Sequence, residues 1–448
     1  MATGEEQVIR FIRKLQWEDV PPTVQEQVKH CALDVLGAII AGSSTKVGQI
    51  IADHVESFWP GDGASIILRG KKASVPGATL ANSFMANALD IDDGYRLIKG
   101  HPGATVLPAI LATAEQRHIS GKEFLTALLI GYEMAIRGGI AWHAYHAEYH
   151  GSGSWGSLGA AAGAARAMGL TAEQTIQALG TAEYHAPISE MMRCIDVPAM
   201  TKDGIGWGSM VGVVSALLAE QGFTGIGSIF GMEPFRELVG SLGNEFKIMG
   251  LYFKPYSCCR WAQPAVWAAL QLRSQYGFVA QEVRCVKIST FKSATRLARN
   301  LPETTEEAQY SITYPVSAAL VAGEVGPGQV LEENLANPEI NRIVSLVEVA
   351  FDERFEKEFP AQCMCELEIK LSNGQVYNSG PVAALGDPDH PLGNAGLENK
   401  FRWLAGYVLD RESVEAIVAG VLGLEKAKDV ATLLSVLGYI KNEKTSHQ

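Results

Sequence analysis

Three carboxylates, two cations and a histidine crowd into the fifteen residues from Ala88 to Pro102 (ALDIDDGYRLIKGHP), between segments that are otherwise apolar. Asp90, Asp92, Asp93 and His101 can give and take protons, and ionisable groups held against an apolar interior acquire perturbed proton affinities. The flanking runs, Val75 to Met85 and Ala104 to Ala112, read as buried helices, which puts these groups on a loop between two core elements. The same composition also suits a surface loop with helix caps, because Asp and Gly favour such positions on propensity alone.

A second set of polar residues lies in loops bounded by proline and glycine: Lys202 in PAMTKDGIGWG, and Lys254 with Arg260 in YFKPYSCCRWAQP. Lysines are ordinarily solvated, but these cations sit beside aromatics and glycines in a chain of net charge −12. A pocket holding all three suits capture of a di- or tricarboxylate. Cys258 and Cys259 offer a nucleophile, yet no base adjoins them, and packing explains the pair as well. His143, His146 and His150 (HAYHAEYH) include two histidines four apart, but no glutamate follows His146 as a zinc-protease pattern needs, and no metal is expected. Gly151, Gly153 and Gly156 match the spacing of a dinucleotide fingerprint without the preceding strand, so they read as close helix packing. His150 stands at that helix-to-turn boundary, where a side chain can face a cavity. Tyr310 and Tyr314, in AQYSITYPVSAAL, read as core residues able to lend a hydroxyl to a site.

The elements that must position these residues follow from pattern. At 448 residues, 47% hydrophobic and 19% charged, the chain has the composition of a well-packed globular protein with room for more than one domain. Residues 5 to about 250 repeat apolar or small residues at helical spacing, and the chain returns to helix from Leu397. Between them VRCVKISTF (283–291), VEVAF (347–351) and CMCELEIKLSNGQVYNSG (363–380) alternate as strands, the last with Asn373-Gly374 as a type I′ hairpin turn. The expected fold is mainly α: a large all-helical domain over 1–255, continued by 395–448 packing back on it, and a smaller α+β domain over 256–394 with a short antiparallel sheet. The acidic surface argues against nucleic acid and anionic membrane as partners. The N-terminus (MATGEEQVIRFIRKLQ) reads as an amphipathic helix rather than a signal, and no apolar run reaches the roughly eighteen residues of a membrane span. Seven scattered cysteines, an odd number, fit reduced thiols, and the expectation is a cytoplasmic protein.

Taken in order, ALDIDDGY, GHPGATVLPAILA, His150 with the glycines and GAAAGAA that follow, Thr201-Lys202, FKPYSCCR, SITYPVSAAL and GDPDHPL resemble the MmgE/PrpD family over nearly the whole chain. That family includes 2-methylcitrate dehydratase, cis-aconitate decarboxylase and iminodisuccinate epimerase. The resemblance implies a helical domain and an α+β lid with the site between them, a homodimer, and no metal or organic cofactor. It makes Asp90 the loop carboxylate that orients a base, His101 and His150 the pocket histidines, and Tyr314 the lid tyrosine. Lys202 and Lys254 become the substrate-facing cations, with Arg260 and Asp93 completing the binding set. Decarboxylase-like members carry threonine where this chain has Gly94, and often histidine where it has Ile205. The expected activity is therefore dehydration of a 2-methylcitrate-like hydroxy-tricarboxylate, with epimerisation or isomerisation and cis-aconitate-type decarboxylation as alternatives, and a carboxylate-binding scaffold as the non-enzymatic one.

Overall fold

Small residues decide how closely the helices of the first half approach one another. The computed structural model describes residues 3–438. The helix Ser152–Ala167 (SGSWGSLGAAAGAARA) is buried along nearly its whole length. A Cβ on its Gly159 would fall 2.4 Å from the Gly131 carbonyl oxygen of the helix Gly121–Tyr145, so only glycine permits this crossing. On the other side, Gly212 of the helix Ile205–Glu220 meets Ala160 in the same way. The glycines after His150 thus serve packing, and the helices Pro22–Gly42, Val75–Asn87 and Pro102–Arg117 complete this core. Contrary to the expectation that no apolar run is long enough to span a membrane, Gly121–Tyr145 meets that length and hydropathy. It lies buried among the other helices, however, where Glu133 pairs with Arg137 inside the core.

The helical reading of the first half misses short strands. β1 (Pro60–Ile66) and β2 (Lys71–Ala73) form an antiparallel hairpin, and β3 (Gly94–Tyr95) pairs antiparallel with β4 (Leu251–Tyr252). Two-residue strands carry no periodicity, and β3 exists only because a segment about 150 residues away lies beside it.

The three stretches expected as strands are strands. β5 (Val283–Thr290), β6 (Val347–Phe351), β7 (Met364–Leu371) and β8 (Val376–Ala383) form one sheet in the order β6-β5-β7-β8. The sheet is mixed rather than antiparallel: β6 runs parallel to β5, because the connection between them travels through helices, including Thr313–Ala322 and Pro338–Val344, and returns the chain in the same direction. The β7–β8 turn is not type I′. In it Gly374 alone has positive φ (88°) and its N–H donates to the Leu371 carbonyl, a type I turn closed by a glycine bulge.

The helix Gly393–Ala405 returns to the first half, where Leu397 and Phe401 join the cluster containing Leu33, Leu36 and Ile40. Lys400 makes this docking specific. Its buried ammonium donates to Asp34 and to the Ile91 carbonyl, so the late helix holds the acidic loop by its backbone. Of the segment expected to pack back, residues 439–448 lie outside the described residues, as do residues 1–2 at the other end.

Replacing Lys400 with Met leaves Asp34 buried without its cation, and is expected to cost about 3 kcal/mol of unfolding free energy. Adding Asp34→Asn should recover most of that loss in urea denaturation. A double variant no more stable than Lys400→Met overturns the pairing.

Candidate active site

Asp90 holds the left-handed backbone conformation (φ 52°) just after the helix Val75–Asn87, with its N–H donated to the Asn87 carbonyl. A non-glycine residue adopts it at some cost, and here it sets where the following side chains point. Asp90 and Asp92 face His101, whereas Asp93 turns toward the helical core. His101 immediately precedes the helix Pro102–Arg117, and its backbone N–H donates to Ser152 Oγ at 3.0 Å.

The imidazole lies between carboxylates. Nδ1 stands 3.2 Å from Asp92 Oδ2, and Nε2 stands 3.7 Å from Asp90 Oδ1 and 3.8 Å from Asp203 Oδ2. Asn87 Nδ2 donates to the other Asp92 oxygen at 3.0 Å. Burial disfavours the imidazolium and Lys254 opposes it, but Asp92 and then Asp203 outweigh both and raise the His101 pKa above the usual histidine value. The effect is reciprocal. Burial pushes Asp92 up, yet His101, followed by Lys254 and Asn87, brings it down to about 2.

Cations close the other side of Asp90. Lys254 is buried, with Nζ 3.1 Å from Asp90 Oδ1. Burial disfavours its charge, but Asp90 and then Asp92 more than restore it, raising its pKa above the ordinary lysine value. Lys202, also left-handed (φ 43°), donates to Gln309 Oε1 at 2.6 Å and lies 4.0 Å from Asp90. Gln309 is fixed in turn by donating to the Ala88 carbonyl. Asp203 accepts from Ser152 Oγ at 3.0 Å and from the Tyr310 hydroxyl at 3.2 Å.

A cavity of about 50 Å³ opens among these groups, lined by Asp90 and His101 and by Arg96, Lys99, Tyr149, Tyr252, Arg260 and Tyr310. Arg260 lies 4.2 Å over the Tyr252 ring and pairs with Asp387, which also meets Arg96 at 3.1 Å. Asp90, Asp92 and His101 offer ligand atoms within 4.8 Å of one another, a grouping that could hold a metal ion. The Lys254 ammonium already supplies positive charge 3.1 Å from Asp90, and a dication would sit against it, so the donor set suits proton transfer better.

The structure brings Asp90, His101 and Arg260 to the cavity, sets Lys202 and Lys254 beside Asp90 but outside the cavity lining, and corrects the rest of the expected set. Asp93 does not face the cavity: it accepts the Gly103 N–H at 2.9 Å and the Tyr132 hydroxyl at 2.5 Å in the core. Burial, then the charge of Asp34, pushes its carboxyl up to about 7 in spite of the Tyr132 hydrogen bond. Tyr314 does not reach the cavity either, since its hydroxyl donates to the Gln329 carbonyl at 2.7 Å. Tyr310 reaches the cavity because it precedes the helix Thr313–Ala322, where the chain has not yet taken the helical course that carries Tyr314 away. His150 is buried beside His143 and His146, at ring-centroid distances of 5.8 and 5.9 Å. Burial, then His146, lowers its pKa, and among the described residues no ion pair or hydrogen bond joins its ring to the Asp90–His101 group.

Asp92 stands closer to the His101 ring than Asp90 does, and Asp203, Gln309 and Arg96 join the cluster without having been expected there. Asp203 follows Lys202 and Arg96 lies in the acidic loop, so adjacency was an available signal for both. Gln309 had none. Cys259 lines the cavity as a thiol whose pKa burial and then Asp90 push up, which does not favour a nucleophile.

The profile of the MmgE/PrpD N-terminal domain matches residues 6–234, and that of the MmgE/PrpD C-terminal domain matches residues 256–425. Among curated relatives, the cis-aconitate decarboxylase-like protein oryM of Aspergillus oryzae is 24% identical, with 96% of this chain and 96% of its own length aligned. The cis-aconitate decarboxylase of Aspergillus terreus is 25% identical over 96% of this chain and 95% of its own. The human cis-aconitate decarboxylase is 24% identical over 92% and 90%.

Asp93 binds its proton more tightly folded, at about 7, than in the unfolded chain. Its contribution to stability is therefore fully present below about pH 4 and is lost as pH rises toward 7. Thermal midpoints of Asp93→Asn relative to the wild type should shift in favour of the variant between about pH 5 and pH 8. A difference that does not vary with pH overturns the raised proton affinity.

Proposed function

The chain belongs to the MmgE/PrpD family, and we propose that it is a lyase that dehydrates a hydroxy-tricarboxylate of the 2-methylcitrate kind. The observation that carries this reading is His101, whose proton affinity Asp92 and Asp203 raise, set 3.7 Å from the carboxylate of Asp90 beside a cavity rimmed by cations. A carbon next to a carboxylate is weakly acidic, and charge builds on the carboxylate oxygens as its proton leaves. Lys202 and Lys254, which stand beside Asp90, offset that charge in surroundings where little water competes, and Arg260 is left to bind elsewhere on the substrate. Asp90 takes the carbon-bound proton and the C–H electron pair becomes the new C=C bond. The C–O bond breaks, and His101 protonates the departing hydroxyl so that it leaves as water.

Residues 256–394 act in this proposal as a lid over the helical part, formed by 1–255 with the returning C-terminal segment. Asp90, His101 and Asp203 come from the one, and Arg260, Tyr310 and Cys363 from the other, which supports the division. Closure excludes water from the reacting carbons. The proposal takes the working form to be a cytoplasmic homodimer that uses no metal or organic cofactor.

Decarboxylation is the second reading, favoured by the named activities of relatives aligned along the chain. Loss of carbon dioxide would leave an electron pair that the same His101 proton could quench at carbon. Gly94 weighs against it. A Cβ there would fall 2.2 Å from the Tyr252 ring, so the threonine expected of decarboxylase-like members does not fit this loop. Epimerisation needs only return of the proton to the opposite face, and a scaffold would have no use for the buried Asp90–His101–Lys254 set.

Proton NMR in deuterium oxide with EDTA, against 2-methylcitrate, citrate, cis-aconitate and hydroxy- and amino-dicarboxylates, separates these readings. A vinylic product from a hydroxy acid supports dehydration, loss of a carboxyl from cis-aconitate supports decarboxylation, and deuterium uptake without a new double bond supports epimerisation. Silence across the panel overturns the lyase reading. With the active substrate, turnover should fall as pH rises through the raised His101 pKa, because the reaction needs the imidazolium. Asp92→Asn should move that alkaline limb to lower pH, and His101→Asn should cut kcat by about 100-fold or more. A limb unmoved in Asp92→Asn removes His101 from the acid role.

A further inference from the structure

We propose that Arg96 and Arg260 form a carboxylate subsite in the cavity wall, and that Asp387 is an internal carboxylate holding the place a substrate carboxylate takes on binding. The identity of the ligand rests on the lyase reading; the subsite itself rests on geometry.

Asp387 is buried, its two oxygens divided between two guanidiniums: Oδ1 on Arg260, and Oδ2 on Arg96 at 3.1 Å. Two arginines sharing one carboxylate is how a protein binds a carboxylate ligand, since each guanidinium offers paired donors in one plane. Both arginines also line the cavity that holds Asp90 and His101. Arg260 is fixed by the Tyr252 ring beneath it, and Tyr252 is itself fixed by the β3–β4 pairing beside Gly94. The site is thus built for a planar anion before one arrives.

The neighbouring contacts say which partner moves. Arg260 is held by a ring and Arg96 lies in the site loop, where it also meets the exposed Asp389 at 2.7 Å. Asp387 hangs from the GDPDHP turn between β8 and the helix Gly393–Ala405, where Gly386 has φ 93° and its N–H donates to the His390 carbonyl. Rotation of the Asp387 side chain frees both guanidiniums and leaves that turn intact. A ligand with a single carboxylate, held beside Asp90 and His101, could not displace it. A second, distal carboxylate could, and the cavity would widen as Asp387 withdraws. The cluster therefore selects di- and tricarboxylates over monocarboxylates by making the distal carboxylate compete with an internal one.

The test is calorimetric titration of the full-length protein with tricarballylate, a tricarboxylate that has neither a hydroxyl to lose nor a double bond. If Asp387 competes for the arginines most of the time, Asp387→Asn and Asp387→Ala should each bind about 10-fold more tightly than the wild type. Arg260→Gln should bind about 100-fold more weakly, and Asp389→Asn, which alters only the exposed contact, should stay within about 3-fold. Circular dichroism confirms that each variant is folded. If Asp387 merely positions the arginines, both of its variants bind equally or more weakly, and the proposal falls. Proton exchange by the wild type with no gain in the Asp387 variants overturns the subsite and leaves the lyase reading. Tighter binding in those variants without turnover of any candidate substrate supports the subsite and overturns the lyase reading. No binding by any of the proteins overturns the subsite.

Discussion

Charges buried together must neutralise one another, and this constraint governs the seam between the helices and the mixed sheet. Asp90, Asp92, Asp203 and Asp387 are all buried, as are His101, Lys202 and Lys254. An unpaired charge in such a place costs several kcal/mol, so the segments supplying these groups cannot drift independently. The acidic loop comes from between two helices, Lys202 and Asp203 from just before a third, and Lys254 from just after β4.

That requirement reaches outward from the cavity. Lys400 ties the late helix to Asp34 and to the loop carbonyl at Ile91, and Ser152 joins the start of its glycine-rich helix to His101 and Asp203. Asp93, a loop neighbour of Asp90 and Asp92, turns to the helical core through Gly103 and Tyr132. The loop is therefore gripped from behind by hydrogen bonds while its front face is left to the cavity, which suits a group that must hold a proton at a fixed position.

Under the proposed function, the same charges would serve several related reactions. Neutralising a substrate carboxylate and delivering a proton are common to elimination, epimerisation and decarboxylation, so the outcome is set by what else contacts the substrate. Gly94 and Tyr252 shape the cavity wall: the ring fills the space a side chain at position 94 would need, and Arg260 lies 4.2 Å over it. A single residue thereby links the shape of the cavity to the placement of a cation.

Periodicity and residue type made much of this legible without coordinates. The buried helices and the strands at 283–291, 347–351 and 363–380 could be read from the chain because burial imposes local spacing, whereas the convergence of Asp90, His101, Lys202, Lys254 and Arg260 followed from the resemblance to the MmgE/PrpD family. Tertiary structure alone decided which carboxylate faces which partner. A left-handed residue at Asp90 assigns Asp92 to His101 and sends Asp93 into the core, and no pattern in DIDD announces the sign of that φ. Likewise, Tyr310 rather than Tyr314 meets the cavity, and β6 runs parallel to β5, because both depend on where a distant segment returns. Spacing along a chain records which residues share an element, whereas the partner of a buried charge is set by contacts between elements far apart in sequence.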